Sequence, residues 1–225
     1  AFRDRRRRVF RAILFQQWRW TRLIVALSTV AAFAIPLFSV RGSAANLEHK
    51  EAASFLGDVQ SWGVLYPTLA GALGVLLAIT LWTPDHRGRH VYALALPIPR
   101  WRLVTYRYLA GLTLLAAPVI GLTLGTLLAS GTASLPTGLH AYPLGLSVRF
   151  ALAAVVAFTL FFSVSSGTAR TAGTILGAVA ALVVFQVLLS AAGSEANILM
   201  PIVNVLLTAP GPFAIFTGRW MLVDV

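Results

Sequence analysis

In 225 residues, 58% are hydrophobic and 11% charged, and the mean hydropathy is +0.80. A soluble domain of this size carries about a quarter charged residues, so this chain lacks the polar surface to cover itself with and reads as a membrane protein. Its 18 basic residues outnumber 7 acidic ones, 17 of the 18 are arginine, and the absence of cysteine excludes disulfides, thiolate metal sites and cysteine nucleophiles.

The chain opens on an arginine-rich stretch, residues 3–22, expected to form an interfacial elbow helix. Phe10, Ile13 and Leu14 share one face, Trp18 and Trp20 sit at the depth that suits indole rings, and arginines occupy the rest. A basic cluster beside a span is ordinarily held by anionic lipid headgroups, so lipid rather than nucleic acid is its expected partner. Uncharged runs long enough for a hydrocarbon core of about 30 Å follow at 23–40, 63–82, 108–129, 144–165 and 171–192. Each is expected to be a helix, because a segment in lipid must satisfy its own backbone groups, and none alternates like a barrel strand. Arg149 is the one charge within a span. The sequence reading is that it snorkels to the headgroups at the outer end of the fourth span, with a substrate-headgroup or outer-gate contact as the alternative.

Two Gly-x-x-x-Gly pairs, Gly121/Gly125 in the third span and Gly173/Gly177 in the fifth, permit close helix approach, either within the bundle or across a dimer. Residues 193–225 are expected to form an extracytoplasmic or re-entrant segment, because Pro201, Pro210 and Pro212 interrupt its apolar run. The expected class is therefore an all-α, polytopic helical membrane protein forming one transmembrane domain.

With the N-terminus inside, 14 basic residues fall on the cytoplasmic side and 4 outside (Arg41, Lys50, Arg149, Arg219), against 2 acids inside and 5 outside. The positive-inside rule thus places the N-terminus in the cytoplasm and the chain in the cytoplasmic membrane. All seven carboxylates and all four histidines lie outside the spans, which argues against an ion-coupled carrier and against a membrane haem. No G-x-S-x-G or H-E-x-x-H motif occurs, so the chain is not expected to be catalytic, nor to bind a metal or cofactor itself.

Between the second and third spans lies a cytoplasmic loop, 85–102. It reads as a basic turn, a short helix from about Arg89 to Leu96, a stop at Pro97 and Pro99, and a new helix entering the membrane through Trp101 and Tyr108. This order, with Leu96-Pro97-Ile98-Pro99-Arg100-Trp101 and then Tyr106-Arg107-Tyr108-Leu109-Ala110-Gly111, resembles the permeases of type-2 ATP-binding-cassette (ABC) transporters.

The resemblance covers most of the chain as architecture and about 25 residues as motif. It implies an exporter permease whose loop, through Arg87, Gly88, Arg89, Tyr92, Leu94, Pro97 and Arg100, couples to a cytoplasmic ATP-binding subunit that holds the ATP and Mg. It also implies a second permease subunit; the fifth span is the better dimer candidate, because Ala180, Ala181 and Val184 extend the small-residue face of Gly173 and Gly177. A phosphate-binding loop needs a glycine-rich turn ending in lysine, and Lys50, the only lysine, sits on the outer side, so the ATPase is expected to be a separate chain. The family has six spans, which leaves the sixth either to residues 198–216 or beyond Val225. The alternative function is a non-transporting structural or assembly subunit of a larger membrane complex.

Overall fold

The computed structural model describes residues 2–44, 52–87, 99–132, 138–167, 169–191 and 197–224. They form α1 (Phe2–Ala44), α2 (Ala52–Trp62), α3 (Leu65–Arg87), α4 (Arg100–Thr132), β1 (His140–Ala141), α5 (Pro143–Ser165), α6 (Ala169–Ala191), α7 (Leu199–Leu207), a 3-10 turn (Ala214–Phe216) and β2 (Val223–Asp224). Among the described residues, four helices are long and apolar enough to cross a membrane: Arg7–Gly42, Phe55–Pro84, Arg100–Thr132 and Pro143–Ser165. The second takes α2 and α3 together across the turn at Gly63. The helix expected at 171–192 is present as α6, within two residues of its expected limits.

The first expectation to be corrected is the separate elbow helix. Helical structure passes through Arg22 and Leu23 without interruption, and the sequence explains why: no proline occurs before Pro36 and no glycine before Gly42. At about 1.5 Å per residue, a helix of 43 residues is roughly twice the length that a hydrocarbon core requires. The face carrying Phe10, Ile13 and Leu14 also packs on protein. These side chains are half-buried; the Phe10 ring meets Tyr106 of α4 edge-on at 6.3 Å, and Leu14 packs against the core. Trp18 and Trp20 stay largely exposed, at 44% and 48%.

Two parallel helix pairs form the bundle. Helix α1 lies along α4, and each glycine of the Gly121/Gly125 pair faces a residue 92 positions earlier, Thr29 and Phe33. A β-carbon at Gly121 would stand 2.9 Å from the Thr29 carbonyl oxygen, and one at Gly125 would overlap the Phe33 carbonyl. The small residues are thus what lets the two backbones approach. Helix α3 lies along α5 in the same way, through Gly74, whose β-carbon would be 2.7 Å from both Ala157 Cβ and Phe158 N. The pairs join where α4 meets α5: Thr126 and Ser147 hydroxyls lie 3.3 Å apart, and the Tyr108 and Thr159 hydroxyls 2.8 Å apart. Tyr66, Leu73, Leu77, Leu122, Phe150 and Phe158 fill the interior.

Residues 198–216 do not form a span. Helix α7 has nine residues, well short of the ~20 that crossing requires, and it ends before Pro210 and Pro212. The C-terminal segment instead returns to the bundle, where β2 pairs antiparallel with β1 (His140 opposite Asp224, Ala141 opposite Val223) and Tyr142 N donates to Leu222 O at 2.8 Å. Trp220, Leu222 and Val223 are buried.

Candidate functional site

Chemistry-bearing side chains gather at the two ends of the bundle. At the first end, α3 runs out at Arg87 and α4 begins at Arg100, and the loop between them includes most of the coupling residues expected from the sequence. Gly88, Arg89, Tyr92, Leu94 and Pro97 lie outside the described residues. The re-entry is described: the Pro99 carbonyl accepts from the backbone N–H of Arg102 at 3.0 Å and of Leu103 at 3.2 Å, which starts α4 eight residues before the apolar run. Trp101 is 65% exposed, and the Arg102 guanidinium lies 5.0 Å from its ring centre. The result is a cationic and aromatic surface at the mouth of the loop.

Behind that surface, Arg107 is buried. Its guanidinium stands 5.0 Å from the ring centre of Trp82, near the end of α3, and its carbonyl accepts from Gln17 Nε2 of α1 at 3.4 Å. Trp82 continues into an aromatic cluster with Phe162 (5.2 Å), while Tyr108 stacks on Phe158 (5.6 Å) and meets Phe162 edge-on (5.5 Å). The helix that enters the loop and the helix that leaves it are therefore fastened to each other, to α1 and to α5.

The sequence reading placed Arg107 among the inner charges and missed its burial. The signal was there: Arg107 is in helical register with Leu103, Ala110, Gly111 and Leu114, all on the buried face of α4.

At the opposite end, Arg149 projects from the second turn of α5 and is held by protein. Nε donates to Ile215 O at 3.2 Å, Nη1 to Arg219 O at 2.6 Å, and Nη2 to Thr217 O. Its guanidinium lies 4.5 Å from the ring centre of Trp220. Gly218 makes this clamp reachable: its φ of +81° turns the chain through a region that favours glycine, between the Thr217 and Arg219 carbonyls. Arg149 thus forms a strap that ties the C-terminal segment to α5, a role the sequence reading did not include.

The packing glycines separate into two kinds. Gly121 and Gly125 serve the α1–α4 contact within the chain. Gly177 has nothing within 4 Å of a β-carbon built on it, and Gly173 lies outside the residues whose surroundings are described. Helix α6 is apolar yet little covered, with Val184, Phe185, Val187 and Leu188 between 50% and 61% exposed. Among the described residues no group of three or more His, Asp or Glu comes together as a metal site. Comparison of the chain with protein-family models, with curated proteins and with solved structures gave no match.

Proposed function

We propose that this chain is the membrane-spanning permease subunit of an ATP-driven exporter, with its N-terminus in the cytoplasm and ATP hydrolysed by a separate subunit. The observation that carries the reading is the basic, aromatic re-entry of α4 at Pro99-Arg100-Trp101-Arg102, exposed at the same end of the bundle as the arginine-rich start of α1. A cytoplasmic partner seated there would act on a loop whose two flanking helices are fastened to the bundle through Trp82 and Arg107. The cargo is an amphiphilic or apolar molecule, since no carboxylate lies inside the apolar runs 23–40, 63–82, 108–129, 144–165 and 171–192. The test is copurification: the wild-type chain is expected to bring down a nucleotide-hydrolysing subunit, and Arg100→Asp or Tyr92→Asp to lower the yield of that complex. A loop neighbour that binds no nucleotide would instead favour a structural or assembly subunit.

The second permease copy is assigned to the exposed face of α6. Gly177→Leu is expected to leave the monomer no less stable in thermal unfolding, with a gain of up to about 1 kcal/mol from helix propensity, because the added side chain meets open space. It is expected to weaken self-association measured by single-molecule photobleaching in nanodiscs. Unchanged association would move the dimer face elsewhere.

A further inference from the structure

We infer that the cleft beside the Arg149 strap is a binding site for the phosphate headgroup of a phospholipid. The cleft has a volume of about 280 Å³ and lies between the start of α5 and the returning C-terminal segment. Tyr142, Gly145, Arg149, Arg219, Trp220 and Asp224 are among the residues that line it. Two guanidiniums against one carboxylate leave the site net positive. Three of the five N–H donors of Arg149 are engaged by backbone carbonyls, so two remain to meet an oxyanion from a position already fixed by the strap.

Two further observations point to a ligand. Trp220 is 3% exposed, lines the cleft, and its Nε1 is buried without a hydrogen-bond partner. Such a donor is costly to leave unmade. The first turn of α5 also has no side-chain cap at Tyr142, which leaves the positive end of that helix at the same place.

A lipid headgroup and a free phosphate ester share this chemistry, and two features favour the lipid. At about 280 Å³ the cleft is smaller than the ≈300–1,000 Å³ of pockets that enclose a whole small molecule, so it suits a headgroup whose remainder lies outside. Directly beside it, Leu144, Val148 and Leu152 are spaced four residues apart on α5 and are 62%, 59% and 52% exposed. They form an apolar track leading away from the cleft along the helix, as an acyl chain would need. The inference requires only that α5 sits in a bilayer, and does not depend on the exporter reading.

The experiment is native mass spectrometry of the full-length chain in neutral detergent, titrated with phosphatidylglycerol, diacylglycerol or inorganic phosphate. Phosphatidylglycerol is expected to be retained and diacylglycerol lost. Arg219→Ala should weaken phosphatidylglycerol retention about tenfold through loss of one charge-assisted contact, with an unchanged melting temperature. Arg41→Ala, an exposed arginine in the last turn of α1 and outside the cleft, should leave retention unchanged. Equal retention in wild type and Arg219→Ala, or equal losses in Arg219→Ala and Arg41→Ala, would overturn the site. Displacement of the lipid by equimolar inorganic phosphate would overturn its assignment to a lipid.

Discussion

Arg149→Ala is expected to release the C-terminal segment from the bundle. The substitution removes a guanidinium that bonds three backbone carbonyls, at Ile215, Thr217 and Arg219, and covers the buried Trp220 ring. Charge-assisted hydrogen bonds contribute about 1.5–3 kcal/mol each, and the partial exposure of this group brings the expected loss to about 2–4 kcal/mol in all. Arg149→Lys should recover less than half of it, because one ammonium can neither span three carbonyls nor stack flat on the indole. Trypsin provides the readout. The Arg219 carbonyl held by Nη1 belongs to the bond that trypsin cleaves, so Arg149→Ala should speed cleavage there roughly 100-fold if cutting follows the opened population. Unchanged cleavage with an unchanged melting temperature would contradict the strap.

Gly125→Ala should destabilise the bundle, although alanine is intrinsically the better helix former. The added methyl would overlap the Phe33 carbonyl oxygen and stand 3.0 Å from the Phe33 carbonyl carbon and Cα, which are backbone atoms that cannot rotate aside. Overpacking of this kind costs about 1–3 kcal/mol, more than the roughly 1 kcal/mol that alanine returns in helix propensity. Gly125→Leu should cost more than Gly125→Ala, because α1 must then move off α4. Gly57 supplies the opposite case: it sits exposed in α2 with nothing within 4 Å, so Gly57→Ala should stabilise by about 0.5–1 kcal/mol. The two alanine substitutions are expected to shift the melting temperature in opposite directions, and a shift of the same sign would contradict the α1–α4 register.

These two sites also show how far the sequence could be read. Composition and uninterrupted apolar runs located the helices well, and α5 and α6 begin and end within two residues of their expected limits. The runs marked only the greasy part of each helix. The first turns of α4, from Arg100 to Arg107, carry charges and lie outside its run; the prolines placed the start of this helix after Pro99, while its packing on α1 and α3 through Arg107 was not legible. The glycine pair at 121 and 125 was legible as a place of close approach, but spacing cannot name the partner, which is α1. The elbow failed because basic and aromatic residues suit an interface and a continuous helix equally well, and no glycine or proline was present to break the chain.

The C-terminal segment was harder still. Its prolines signal an interrupted helix, whereas the pairing of Val223 with Ala141 and the capture of three carbonyls by Arg149 join residues about 66 to 82 positions apart, and no local pattern encodes them.

Photocrosslinking in intact cells tests whether the re-entry of α4 faces a nucleotide-binding subunit, as proposed. A photoreactive residue placed at Trp101, exposed beside Arg102, reports whatever lies against that surface. The account predicts one protein adduct, identified by mass spectrometry as an ATP-binding chain that copurifies with the bundle and hydrolyses ATP. Adducts confined to lipid, or to a protein that binds no nucleotide, would contradict it.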